Sequence, residues 1–225
     1  AVGSIEMNGD CSTSQPLAGN VFVNNLVKDF KVSNDVTISS VNGEQLNIEG
    51  TLSFGAVPGK TLFTGDNVNL KSTVNATANV ANMTGHVISR KVTVERYVNT
   101  GLPADGRHPK SWQFLATPAK NQSVFQSWQE SGATPAGFGT IITGTGSGFD
   151  ITTAQPSMKF FDPTIGAAGD WTGISNTGNA IADQRGYMVF VRGDRTVNTS
   201  SAAANPTTLR IKGDLFQPND APPVT

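Results

Sequence analysis

Between Val21 and Tyr97 the chain is a succession of short apolar runs broken by turn residues at fairly even spacing. Val36-Thr37-Ile38, Leu46-Asn47-Ile48, Thr51-Leu52-Ser53-Phe54, Leu62-Phe63, Val68-Asn69-Leu70, Val87-Ile88 and Val92-Thr93-Val94 follow one another in this way. Several alternate apolar with polar residues, the period of a strand with one face inward. Gly50, Gly55, Gly59, Gly65 and Gly85 recur between the runs, and Asn42-Gly43 signals a hairpin or a tight corner. Such repetition suits a β-sandwich or a solenoid whose rungs stack in parallel; no fixed period emerges to choose between them.

Composition points the same way. Charged residues make up only 15% of the 225 positions, and 24 glycines and 12 prolines accompany abundant Thr, Asn and Ser. These residues favour pleated strands and turns, while helices prefer Ala, Leu, Glu and Lys. A formal net charge of -1 with scattered Lys and Arg lacks the basic stripe that phosphate neutralisation needs, so a nucleic-acid partner is not expected. No apolar run is long enough to span a bilayer. Cys11 stands alone and rules out an intramolecular disulfide. The start, Ala1-Val2-Gly3-Ser4, is not a signal peptide, and both ends read as cuts through a longer modular chain.

After Tyr97 the character changes. Of the 17 aromatic residues, 13 lie from Tyr97 onward, including all 3 tryptophans. Asn99 to Lys110, with Gly101, Pro103, Gly106 and Pro109, is the expected boundary, placing one domain over 1–97 and a second over 98–225. Strands are expected at Trp112 to Ala116, near Ile141, at Met158 to Phe161, at Tyr187 to Val191 and at Thr208 to Ile211. Ser123 and Gln126 have the spacing of a capping box, predicting one short helix with Phe125 and Trp128 on one face and Gly132 at its end. Gly132 to Gly148 reads as a loop, and Pro218 to Val224 as an extended tail. The fold class expected is therefore all-β: a strand-rich first part, sandwich or solenoid-like, then a β-sandwich or jelly-roll-like part with one short helix.

The second part carries a resemblance. Val92 to Tyr97, Trp112 to Leu115, Gln126 to Gln129, Gly148 to Asp150, Pro156 to Met158, Trp171 and Gly186 to Asp194 occur in an order that resembles a β-rich module. That module belongs to very large exported proteins of gliding-type bacteria, similar to surface adhesins and to cargo of the type IX secretion route. The similarity spans about residues 87 to 216. It implies an extracellular or cell-surface location and a structural or adhesive role, with other copies or neighbouring modules as partners and self-assembly through strand edges.

No catalytic constellation emerges, so an enzyme is not expected. His86 and His108 lie apart with no cysteine at ligand spacing, which disfavours zinc. Asp150, Asp162, Asp170 and Asp183 sit among glycines and could offer oxygen ligands to calcium, but no EF-hand spacing is present and turn-forming aspartates explain them more simply. No cofactor is expected. Gly146-Ser147-Gly148 lacks the strand-to-helix context of a nucleophile elbow. Arg192-Gly193-Asp194 is the integrin-recognised tripeptide, here more simply a strand leaving the core into a glycine turn.

Carbohydrate binding is the competing function. Trp112, Trp171 and Tyr187 are the candidate ligand-binding residues, flat rings on which a pyranose of a polysaccharide could stack. Against this, Trp112 alternates with Phe114, and Trp128 shares a helical face with Phe125, patterns of core residues. Core burial outweighs binding for the set, with Trp171 the ring expected to face solvent.

Overall fold

The computed structural model describes residues 3–9, 13–40, 42–218 and 220. Cys11 and the tail from residue 221 onward lie outside them. The chain is all-β and divides into two units. Residues up to Arg96, joined by Lys212–Asp220, form one, and Tyr97–Ile211 form the other.

The first unit is a parallel β-solenoid. Its strands are β1 (Ile5–Met7), β2 (Gln15–Ala18), β3 (Leu26–Val27), β4 (Phe30–Val32), β5 (Val36–Ser39), β6 (Leu46–Ile48), β7 (Thr51–Phe54), β8 (Thr61–Phe63), β9 (Val68–Leu70), β10 (Asn79–Val80), β11 (Val87–Ser89) and β12 (Val92–Val98). Every third strand pairs in parallel, giving the orders β1-β4-β7-β10, β2-β5-β8-β11 and, as part of a six-stranded sheet, β3-β6-β9-β12. Four rungs of three strands result. The first residues supply the strands β1 and β2 of the first rung.

Register places like on like. Phe30 pairs with Leu52; Val36 with Leu62 and Leu62 with Ile88; Leu46 with Val68 and Val68 with Val92. All eight are at most 2% exposed, so each column contributes burial at about 1.5–3 kcal/mol per side chain. Outside these columns, the corners are tied from rung to rung by carboxylates. The amides of Thr51, Thr61 and Lys91 donate to Asp29, Asp35 and Asp66 at 2.8, 2.8 and 2.9 Å. At one corner Gly65 and Asp66 both hold left-handed backbone, and a Cβ on Gly65 would meet the Ile38 carbonyl oxygen at 2.5 Å. Asn42 and Gly43 form a similar corner, between strands of different sheets rather than of one hairpin.

A polar seam runs through the third sheet. Asn69 donates to its register partner Asn47 at 3.0 Å and to the buried Glu95 at 3.0 Å, and Lys71 reaches the same Glu95 oxygen at 3.0 Å. At the last rung, Val87 and Ser89 spend their backbone bonds on the third. Ile88 therefore presents its N–H and C=O outward, and the Gln217 amide takes both, at 3.0 and 2.9 Å. One side chain thus does the work of an added strand at a sheet edge.

The second unit contains β13 (Ser111–Ala116), β14 (Ala119–Lys120), β15 (Thr143–Gly144), β16 (Ile151–Thr152), β17 (Met158–Asp162), β18 (Asp170–Gly173), β19 (Gly186–Val191) and most of β20 (Thr207–Leu215). Its main sheet is antiparallel, in the order β13-β19-β17-β18, and β15 and β16 form a short parallel pair. Tyr187, Val189, Val191 and Met158 point to one face and are buried. Among the described residues no α-helix occurs. The segment from Ser123 keeps its capping box, Gln126 N–H to Ser123 Oγ at 3.1 Å and Ser123 N–H to Gln126 Oε1 at 3.2 Å. It then continues as turns into a 3-10 helix, Glu130–Gly132. Tertiary bonds override the helix: the Trp128 carbonyl accepts from Thr140, and Glu130 and Ser131 have positive φ.

Two outcomes follow for stability. Leu62→Ala, at the centre of a column, is expected to cost about 2–5 kcal/mol in urea unfolding, against a near-neutral Val57→Ala at an exposed site. Gln217→Ala uncovers the Ile88 backbone pair and is expected to increase self-association, seen as a higher sedimentation coefficient as concentration rises.

Candidate functional site

Strand register decides which aromatic rings share a surface. Trp112 pairs with Phe190, Phe114 with Met188 and Ala116 with Gly186 across β13 and β19. Lys159 pairs with Met188, and Phe161 with Trp171 across β17 and β18. Alternation then places Trp112, Phe114, Phe161, Trp171 and Phe190 on one face and Tyr187, Val189, Val191 and Met158 on the other.

The aromatic face is not the core. Phe114 is 74% exposed, Phe161 47% and Trp112 39%, and Trp171 is half-buried. The rings touch one another. Trp171 lies 5.8 Å from Phe114 and 5.8 Å from Phe161, tilted by 57° and 68°. Trp112 meets Phe190 edge-on at 5.3 Å, with the Lys159 ammonium 5.5 Å from its ring. Such contacts offset only part of the cost of leaving this apolar area in water.

A cleft of about 820 Å³ opens at the end of the sheet where Ala116, Asp162 and Gly186 lie. Phe114, Phe161 and Trp171 give it rings, while Asp162, Thr164, Gln184 and Arg185 give it polar groups. Thr164 donates both its hydroxyl, at 2.7 Å, and its amide, at 2.9 Å, to Asp162 Oδ1. Those bonds hold the Asp162 carboxyl below its ordinary range, and Oδ2 takes neither of them. Arg185 Nε donates to Asp183 at 2.7 Å while its guanidinium lies 4.5 Å from the Phe160 ring. The arrangement can hold hydroxyl groups against an aromatic wall. A smaller cavity of about 250 Å³ lies among Val124, Met158, Phe160, Ile181 and Tyr187.

No family model, curated protein or solved structure matches this chain.

The three candidate rings therefore part company. Trp171 lines the cleft. Tyr187 also borders it but is buried, on the opposite face of the sheet from Trp171. Trp112 lies on the aromatic face and outside the residues that line the cleft. Core burial, weighed for Trp112 from its alternation with Phe114, is corrected: alternation gives the period of a strand, not its inward side, and β19 turns its valines the other way. Trp128 is buried, while Phe125, expected beside it, is exposed because the segment turns rather than coils. Phe114 and Phe161 join the site beyond the three expected rings, and Trp171 lies on β18, a strand that is not among those expected from the sequence.

The remaining motifs are spent inside the fold. Asp194 is 3% exposed and accepts from Gly137 N–H at 2.6 Å and from Thr196, which removes it from any integrin-like display. The buried Arg195 grips Asp150 with two bonds, at 2.7 and 3.0 Å, and also donates to the Ala133 and Thr140 carbonyls, pinning the Gly- and Thr-rich loop. Asp150 and Asp183 are thereby committed to arginines, and among the described residues no three His, Cys, Asp or Glu gather.

Burial, reinforced by the Asp183 carboxylate, pushes the Tyr187 phenol up from 10.0 to about 12. The unfolded chain ionises this group near 10.0, so its contribution is complete below that pH and is lost as pH rises through about 12. Tyr187→Phe is expected to flatten the alkaline fall in the urea midpoint between about pH 9 and about pH 11.5.

Proposed function

We propose that the chain is a non-catalytic structural and adhesive module of an exported bacterial surface protein. The aromatic face of the second unit carries this reading: five rings share one sheet face, and three of them, Trp112, Phe114 and Phe161, are exposed. The solenoid supports the structural half of it. Stacked rungs joined by main-chain ladders and buried aliphatic columns form a stiff body with few loose loops. In this reading the second unit is a sandwich-like binding domain, with its aliphatic face inward and its rings toward a partner.

Carbohydrate binding is the specific form of adhesion that the cleft favours, since rings and hydroxyl-binding groups meet there. Surface location and export rest on the ordered blocks from Val92 to Asp194 and on a composition low in charge.

Fluorescently labelled chain is expected to remain on washed bacterial cells and on polysaccharide-coated plates. A Phe114→Ser, Trp171→Ser double variant with an unchanged circular dichroism spectrum is expected to wash off. Equal retention of the double variant would remove the aromatic face from the account, and release of soluble reducing sugar from the coated plates would overturn the non-catalytic reading.

A further inference from the structure

Three features of the cleft at the Ala116–Gly186 end of the sheet define what fits it. Its rings are not coplanar. Trp171 stands at 57° to Phe114 and 68° to Phe161, so the three form the walls of a trough rather than a flat shelf. A flat crystalline polymer would contact such rings by their edges, whereas a single six-membered ring entering the trough can lay its C–H face on one of them.

The floor is kept low. Ala116 and Gly186 pair directly in the row of positions that leads to Phe161 and Trp171, and a Cβ built on Gly186 meets nothing within 4 Å. The small side chain of Ala116 and the missing one at Gly186, rather than any backbone need for glycine, leave the space.

The polar groups are matched to hydroxyls. Asp162 offers a carboxylate oxygen that Thr164 does not use, while Arg185 and Gln184 offer donors. Arg185 already has its counter-ion in Asp183 at 2.7 Å. An anionic ligand would therefore face the Asp162 charge with no uncompensated cation to hold it, while a neutral hydroxyl both donates to Asp162 and accepts from Arg185.

We propose that this cleft binds a neutral pyranose unit of a soluble glycan chain, stacked against Trp171 and Phe114 and hydrogen-bonded to Asp162 and Arg185. The site rests on the adhesive reading above and gives it a ligand class. Its geometry selects accessible chains or chain ends over crystalline surfaces, and neutral sugars over uronates.

The test is titration of the full chain, followed by calorimetry and tryptophan emission. The probes are soluble oligosaccharides of glucan, chitin and mannan type, with oligogalacturonate and microcrystalline cellulose as the charged and flat comparisons. At least one neutral oligosaccharide is expected to bind and to shift the emission, with the two comparisons weaker by about tenfold or more. Trp171→Ala is expected to weaken binding by about tenfold or more. Gly186→Leu keeps every ring and fills the trough, and is expected to abolish binding with the melting temperature preserved. Val57→Ala, at an exposed site of the first unit and outside the cleft, is expected to leave affinity unchanged.

The inference is overturned if no neutral oligosaccharide binds, if Gly186→Leu binds like the parent, or if the rings are covered instead by a second copy in sedimentation equilibrium. Retention of Gly186→Leu on washed cells at the parent level would sink the sugar site alone and leave adhesion standing. Loss of retention by the parent itself would sink the adhesive reading instead.

Discussion

In-register stacking of parallel strands is the constraint on which the first unit depends. A single rung of three short strands can bury nothing by itself; its apolar side chains become a core only when those of the next rung lie directly over them. The columns through Val36, Leu62 and Ile88 and through Leu46, Val68 and Val92 are that core. A shift of one residue would turn each column to the solvent side, so the register must be fixed from outside as well. Asp29, Asp35 and Asp66 do this at the corners, because a carboxylate on one rung can accept the amide of the next only in one alignment. Glu95 adds an internal check, gathering Asn69, Lys71 and the Ser72 amide at the third sheet.

The sequence shows the strands of this unit more readily than their arrangement. The apolar runs at Val36, Leu46, Thr51, Leu62, Val68, Val87 and Val92 all became strands, since nothing in a run so short competes with extended backbone. The repeat was hidden because the distance from one rung to the next is not constant: Gln15 pairs with Val36, 21 positions on, but Thr51 with Asn79, 28 positions on. Corner loops absorb the difference while strand positions stay aligned. The corner aspartates were the available signal, three acids each contacting a residue one rung later, but they look like ordinary turn residues without the register.

In the second unit, strand existence was legible at Trp112, Met158 and Tyr187, and facing was not. β13 has apolar residues on both sides, Trp112 and Phe114 on one and Leu115 on the other, so its own pattern does not name the inner face. The choice is made by β19, whose Tyr187, Val189 and Val191 are buried together. β18 escaped notice because Asp170-Trp171-Thr172-Gly173 has the composition of a turn and is strand only by pairing with β17. The cleft was out of reach for the same reason: Phe114, Phe161, Trp171 and Arg185 come from four separated segments and share a site only through the sheet.

The Gln217 contact with Ile88 reaches across 129 positions. On a ribosome, the last rung is made long before the residue that closes its edge, and the whole of Tyr97–Ile211 must emerge in between. The nascent first unit therefore waits with an open β11 margin while the second is translated, and it can be sealed only after Lys212–Asp220 has left the exit tunnel. Completion of the N-terminal body is thereby tied to synthesis of the C-terminal one, and a chain truncated before Gln217 leaves the translation machinery with an adhesive strand edge exposed.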